Sequence, residues 1–373
     1  MQTRRTLLQA MSMLPMVAGC GIPASAGHRH YTPSGVPLRR VNVSQERVIR
    51  TIAGLRPFRS QGFRVEAEKI GSRLMIHNYG HGGGGISLSW GTSHLATEMA
   101  MRSQYRRCAV LGCGAVGLAS ARLLQNQGWD VTIYAKDLPP NTTSNIAGGQ
   151  WSPTSVYDEE FVTPEFMQQF EAATHFAYRY FQNLVGAKYG VRWISNYRIK
   201  GEGGKDDDFT SRHIEIYPQH QVLKAGEHPF AVQEVLHFNT MLIEPAVYLP
   251  ALMEDFYTAG GVIKVREFKD RDDILTLEEP VIINCTGLGA RDLVDDQDLL
   301  PIKGQLTFVL PQSEVNYITL GNSGLYMFPR SDGILLGGTF ERNEWSLVPD
   351  PAETLRITQG HRAFFSAMED PWA

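Results

Sequence analysis

VLGCGAVG, Val110–Gly117, has an apolar run ahead of it and a helical pattern behind it. CAVLG, Cys108–Gly112, reads as a buried strand. AVGLASARLLQNQG reads as a helix ending at Gly128, a residue type suited to the C-terminal cap. Between them Gly112, Gly114 and Gly117 satisfy G-x-G-x-x-G. The first glycine permits a tight turn, the second lets backbone N–H groups meet a pyrophosphate, and the third lets helix pack on strand. The helix N-terminus favours negative charge. DVTIYA, Asp130–Ala135, follows as a second strand. The motif alone is a weak signal, but framed by strand and helix it indicates a dinucleotide-binding fold. An NAD site usually carries an acid at the end of the second strand. Here Ala135 is followed by Lys136 and Asp137, which does not decide between NAD and FAD.

Upstream of this start lies a second glycine-rich stretch, HNYGHGGGGISLSWG, His77–Gly91. Four consecutive glycines, Gly82 to Gly85, let a backbone approach a ligand that a Cβ would block. TSHLATEMAMRSQ after it reads as a helix with Thr92 near its cap, and FRVEAEKI and SRLMIHNYG before it alternate like paired strands. SQERVIRTIAGL, Ser44–Leu55, fits a helix capped by Ser44 or a strand. Downstream, TPEFMQQFEAATHFAYRYFQNL is a helix opened by Thr163 and Pro164. β-rich sequence runs from Val191 to Ile243, broken by the charged turn GEGGKDDD. EPAVYLPALMEDFYTAGG is a helix, and GVIKVREF, PVIINC, KGQLTFVL, LYMFPR and GILLGGT are strands. DPAETLRITQGHRAFFSAM closes the chain as a helix with Asp350 at its cap, Pro351 at N1 and Glu353 at N3.

The 373 residues suffice for two domains, and a net charge of -4 gives no footprint for nucleic acid. Residues 1–27 read as a targeting segment, with residues 28–44 as a linker. TRRTLLQ, Thr3–Gln9, resembles a twin-arginine signal, an ordinary secretory n-region being the other reading. VAGC, Val17–Cys20, resembles a lipobox, which makes Cys20 the candidate lipidation site. The expected location is exported, on the periplasmic or cell-surface side, held to the membrane by lipid alone. The other cysteines, Cys108, Cys113 and Cys285, have neither disulfide nor metal-ligand spacing. Buried free thiols are expected.

Further stretches share one resemblance. YAKD (134–137), NTTS (141–144), AGGQW (147–151), NCTGLGA (284–290), KGQ (303–305), LGGTFERNEWS (336–346), GLRPFR (54–59) and the HNYGHGG loop resemble the D-amino-acid oxidase family of FAD enzymes. The resemblance covers roughly residues 45 to 373, but in a changed order. The family's last segment, GLRPFR through the HNYGHGG loop and its helix, stands first, joined to CAVLGCG by MAMRSQYRR, Met99–Arg107. The chain is therefore similar to a circular permutation of that family. The implied fold class is α/β: an FAD-binding Rossmann-like domain with a second mixed-sheet substrate domain, circularly permuted. The implied division gives residues 45–70 to the substrate domain, 71–150 and 251–300 to the FAD-binding domain, and 151–250 and 301–373 mainly to the substrate domain.

The resemblance also implies roles. FAD would be held by Gly112, Gly114, Ala115, Val116, Gly117, Lys136, Asp137, Thr142, Thr143, Ser144, Gly148, Gly149, Val265, Thr286 and Gly287. Gly82, Gly83, Gly84, Gly85, Ile86 and Ser87 would wrap the far edge of the flavin. Arg56 would clamp the substrate carboxylate with its planar fork, Tyr326 would donate to the same carboxylate, and the Gly83 carbonyl would accept from the amine. No side-chain base is implied, and His77, His81 and His94 read as structural. The expected chemistry is oxidation of a D-amino acid to a 2-oxo acid, ammonia and hydrogen peroxide, with oxygen as electron acceptor. A dehydrogenase using a membrane acceptor and a flavin-holding protein without turnover are the alternatives. The sequence departs from the family at Asn322 and Thr154, where tyrosines are expected, and at Leu288 and Gly289 after NCTG. A basic residue added to the pocket, Arg330 or Arg342 being candidates, would point to acidic substrates.

Overall fold

The computed structural model describes residues 37–199, 213–321 and 324–369. Cys20, the leader, the charged turn GEGGKDDD and Asn322 lie outside the described residues.

The segment Cys108–Ala135 folds as its pattern predicts. β4 (Arg107–Leu111) leads into helix α2 (Ala115–Asn126) and returns as β5 (Asp130–Ala135), parallel to β4. Gly128, at φ +77°, ends the turn after α2. Around this unit stands a six-stranded sheet in the order β2 (Arg64–Ile70), β3 (Arg73–Tyr79), β10 (Val281–Asn284), β4, β5, β9 (Val262–Val265). Its centre is parallel and buried on both faces, which accounts for continuous apolar runs such as VIIN.

A nine-stranded mixed sheet forms the second half. Its order is β1 (Val48–Arg59), β11 (Leu299–Val309), β14 (Gly333–Gly337), β13 (Leu325–Arg330), β12 (Tyr317–Gly321), β6 (Val191–Ile199), β8 (Glu234–Ile243), β7 (Gln221–Lys224). The short β15 (Glu341–Arg342) adds to β11. SQERVIRTIAGL resolves mainly as strand: one turn at Gln45–Arg47, without a side-chain cap from Ser44, gives way to β1. Its partner β11 lies far along the chain, out of reach of local pattern reading.

The segment before residue 105 completes both sheets. β1 pairs along its length with β11, and β3 lies parallel to β10 with His77 opposite Asn284. One boundary differs from expectation. β2, within the 45–70 stretch assigned to the substrate half, forms a hairpin with β3 and so belongs to the six-stranded sheet. The helix after the glycines also begins earlier than expected. α1 runs Gly85–Met101, and Thr92 is buried inside it rather than near its start. Thr92 Oγ1 donates to Leu88 O at 3.3 Å and faces His81 Nε2 at 2.9 Å.

α1 packs against α2 and against α4 (Pro164–Gln182), the helix that Thr163 caps through the Phe166 N–H. At the crossing with α4, a Cβ on Gly91 would fall 1.9 Å from the Ala173 carbonyl oxygen, so only glycine fits there. α5 (Pro245–Thr258) covers α2. The last long helix, Pro351–Ser366, lies on β11, β13 and β14. Asp350 caps it through the Ala352 N–H at 2.8 Å, but Glu353 pairs with Arg356 instead of reaching back to close a capping box. Cys108, Cys113 and Cys285 are free; burial pushes the thiols of Cys113 and Cys285 up to about 12, so neither is a thiolate at neutral pH.

Candidate active site

The glycine loop after β4 meets the end of β10. Gly112 has φ +105°, and a Cβ there would lie 2.5 Å from the Cys285 carbonyl oxygen. On Gly117 a Cβ would lie 2.1 Å from Gly112 O, so this glycine serves the close packing of α2 on its own loop. Gly114 opens α2, and Ala115 N donates to Ser144 Oγ at 3.0 Å. The NTTS stretch is thereby brought over the helix N-terminus, from the short helix Thr143–Ile146. Bare backbone, a helix N-terminus and a hydroxyl ring make a cradle for a pyrophosphate.

A cavity of about 720 Å³ runs from this cradle into the junction of the two sheets. Lys136, Asp137, Arg266, Glu267 and Phe268 line one region, and Lys136 faces Glu267 at 3.6 Å. Gly112, Gly114, Ala115, Val116, Thr142, Thr143, Ser144, Gly148, Gly149, Thr286 and Gly287 line the middle. Gly82, Gly83, Gly85, Ile86 and Ser87 line it from the α1 side, while Arg56 and Tyr326 come from the nine-stranded sheet. The fold thus gathers most of the expected positions around one space.

Three expected contact residues stand elsewhere. Gly117 lies behind the loop, in the packing role just described. Gly84 faces the protein interior, where a Cβ would meet Val156 at 2.7 Å. Val265 ends β9 with 72% of its surface exposed, and its neighbours Arg266 and Glu267 form the wall instead. β9 is an edge strand that ends at Val265, and the chain leaving it, from Arg266 to Phe268, is what reaches the cavity.

At the far end Arg56 projects from β1 against Gly304 of β11, where a Cβ would collide with its guanidinium at 2.4 Å. The Phe340 ring centre lies 5.9 Å from its guanidinium carbon. Its Nη1 is buried without a hydrogen-bond partner among the described residues. A cationic donor left unsatisfied beside a cavity is a seat for an anion. Tyr326 stands across from Gly337 on β14, where any Cβ would strike the ring, and stacks on Phe328 at 5.2 Å. Gly83 N donates to Ser155 O at 2.9 Å, which anchors the glycine loop to the segment holding Thr154. Ser155 itself adopts φ +55°.

The candidate extra cations are engaged elsewhere. Arg330 pairs with Asp332 at 2.8 Å and donates to Ala147 O at 2.9 Å. Arg342 pairs with Asp158 at 3.0 Å and covers the Phe58 ring at 4.7 Å. Neither lines the cavity.

The histidines of the loop hold structure. His81 is fully buried against Phe63, and burial pushes its pKa down to about 3, so it stays neutral at physiological pH. His77 bonds Glu68 at 3.0 Å, and His94 stacks on Phe176 near the surface. Among the described residues no group of three or more His, Cys, Asp or Glu could hold a metal ion. Gln150, Ser152, Ser155, Leu320, Phe328 and Phe340 also line the cavity, though no sequence motif assigns them a role. Gln150 carried the one available signal, a polar residue between paired glycines and a tryptophan.

Residues 107–372 match the family model described as DAO, FAD dependent oxidoreductase. The chain is 30% identical to a D-amino-acid oxidase of Streptomyces coelicolor, over 67% of this chain and 75% of that protein. It is 28% identical to a D-amino acid oxidase of Dugesia ryukyuensis, over 70% of this chain and 78% of that one. Among solved structures, glycine oxidase from Geobacillus kaustophilus superposes with a TM-score of 0.52 at 18% identity, covering 71% of this chain and 80% of that one. That likeness supports the fold alone.

Proposed function

This chain belongs to the family of FAD-dependent oxidoreductases, and we propose that within it the substrate is a D-amino acid. The observation that carries the reading is the buried, unpartnered Nη1 of Arg56 at the end of a cavity that begins at a pyrophosphate cradle. The glycine loop, the α2 N-terminus and the Ser144 hydroxyl fit the cofactor's diphosphate, and Gly82, Gly83, Gly85, Ile86 and Ser87, which line the cavity, fit the edge of a flat ring system. Bound FAD supplies the acceptor for a hydride from the substrate Cα.

The chain's own residues supply position. Arg56 receives the carboxylate through its fork, and the Tyr326 hydroxyl donates to the same group. The Gly83 carbonyl accepts from the amine. Three fixed contacts orient the Cα–H, which is the contribution that proximity makes to such a step. The imino acid released hydrolyses to a 2-oxo acid and ammonia, and oxygen is reduced to peroxide. No side chain is needed as base; His81 borders the cavity, but burial lowers its proton affinity and its Nε2 is engaged with Thr92 at 2.9 Å.

Anaerobic mixing with matched D- and L-amino acids tests the reading. D-isomers are expected to bleach the flavin absorbance and L-isomers to leave it. Air should then return the colour with one peroxide per substrate. A yellow protein that no D-isomer bleaches would remove the substrate assignment; recovery of colour by a quinone but not by air would replace oxidase with dehydrogenase.

We also propose that the chain order is a circular permutation, and that the leader serves export and lipid attachment at Cys20. Two features support the first. Arg40 Nε donates to Met368 O at 2.7 Å, so the two ends of the described fold adjoin, and Tyr317 of β12 touches both, Arg39 O at 2.6 Å and Met368 Sδ at 3.8 Å. The turn from Arg102 to Arg106, between α1 and β4, is largely exposed, as a cut site should be. A chain opened at this turn and rejoined from Glu369 to Leu38, with linkers of about four or about eight residues, is expected to bind FAD one to one and keep its activity within about twofold. Loss of FAD with both linkers would contradict the permutation.

A further inference from the structure

Gln150 occupies a wall position between the glycine loop and Tyr326. Its backbone carbonyl accepts from Ser87 Oγ at 3.4 Å, at the start of α1. Two residues earlier, Gly148 packs against the Phe328 ring that stacks on Tyr326. The side chain is half-buried and the residue lines the cavity.

The hydrogen bonds around it fix its polarity. Gln150 Nε2 donates to Asn196 Oδ1 at 2.6 Å, and Asn196 Nδ2 donates to Ile194 O at 2.9 Å. Asn196 is fully buried on β6. A backbone carbonyl can only accept, so Asn196 must turn its NH2 to Ile194 and its oxygen to Gln150. Gln150 must then answer with its own NH2, which leaves Oε1 as an oriented acceptor. That oxygen makes no hydrogen bond among the described residues. The cavity lining includes the apolar Leu320, Phe328, Leu306 and Ile146 as well as the polar Ser87 and Ser152 next to Gln150. A half-buried amide held in orientation by a fully buried one is a specificity device when a ligand donor meets it, and a penalty when a ligand covers it without a donor.

We propose that Gln150 is a specificity-determining residue that accepts a hydrogen bond from the substrate side chain, so that the site prefers D-amino acids bearing hydroxyl or amide groups over hydrocarbon isosteres. The carboxylate and amine are already assigned to Arg56, Tyr326 and Gly83, which leaves the side chain as the group that reaches the opposite wall. The inference rests on the D-amino-acid reading above. It also sets this pocket apart from one built for a second carboxylate, since an acceptor oxygen repels an anion and Arg330 and Arg342 are paired elsewhere.

The test compares isosteric pairs in the FAD-loaded protein. For kcat/KM the pairs are D-threonine against D-valine and D-asparagine against D-leucine. For binding they are 3-hydroxybutanoate against 3-methylbutanoate, followed by the shift of the oxidised flavin spectrum, which needs no turnover. The native protein is expected to prefer the polar member by about tenfold or more. Gln150→Leu should bring each ratio to about one or below. Gln150→Met serves as a second variant of similar volume, and ratios cancel any loss common to both members. Equal use of both members by the native protein, or a preference that survives both substitutions, overturns the proposal. Discrimination between the two carboxylates without turnover of any D-amino acid would uphold Gln150 while removing the substrate assignment.

Discussion

Arg56→Ala is expected to leave a yellow, FAD-bound protein whose kcat/KM for D-amino acids has fallen by roughly 30- to 5,000-fold, the range for truncating one partner of a desolvated charge pair. The argument starts from β1. Pairing with β11 fixes Arg56 beside Gly304, and the missing Cβ there leaves the space that the guanidinium fills. One guanidinium nitrogen is buried without a partner, so the desolvation cost is already present in the protein before substrate arrives. A carboxylate recovers that cost and adds a charge-assisted bond. Arg56→Lys keeps the charge but loses the planar fork, and is expected to fall between native and alanine proteins. Stopped-flow reduction of the flavin separates the effects: substrate affinity should weaken most, with a further loss in the limiting rate as the Cα–H loses its alignment. If Arg56→Ala reduced its flavin with native affinity, the carboxylate would have to sit elsewhere.

Gly112→Val is expected to give a colourless and severely destabilised protein, by more than about 4 kcal/mol. Two penalties act together. The residue holds φ +105°, which a β-branched side chain strongly resists, and its first carbon would stand 2.5 Å from the Cys285 carbonyl oxygen. The oxygen is backbone just past the end of β10, and the new carbon would be fixed to backbone just past the end of β4, so neither can yield cheaply. Gly128→Ala is the comparison. Gly128 also has positive φ, but a Cβ there meets nothing within 4 Å, so the cost should stay near 1–2 kcal/mol and FAD should remain bound. Thermal unfolding and flavin absorbance per chain measure both. Equal stability of the two variants would show that the loop around Gly112 is not as tightly held as its contacts require.

What could be read from sequence followed the range of the forces involved. The strand, glycine loop and helix from Cys108 to Ala135 are local, and each rule of spacing points the same way. Three features were set by distant partners. The start of α1 was misplaced because four glycines are poor helix formers, whereas burial against α2 and α4 carries the helix through Gly85. Ser44–Leu55 stayed ambiguous because β11 decides its state. β2 was given to the wrong sheet because its alternation shows a strand but not the hairpin partner's neighbours. In the site, the G-x-G-x-x-G glycines follow from spacing, whereas roles for Arg56 and Tyr326 are expected through the family resemblance alone. Gln150 gained meaning only once Asn196 on β6 was seen to orient it.

β1 and β3 have a consequence in time. A ribosome releases both before β11 and β10, their long-range partners, exist. His77 meets Asn284, 207 residues later, and β1 waits longer still for β11. At about 5–20 residues per second, β3 spends roughly 10–40 s paired with β2 alone, its other edge open. The six-stranded sheet has all its strands by Asn284, before β11 begins at Leu299, so that half can close first. β1 must then wait for β11 while β2 and β3 are already paired. The yield of the protein depends on what shelters that one strand until the nine-stranded sheet forms beside it.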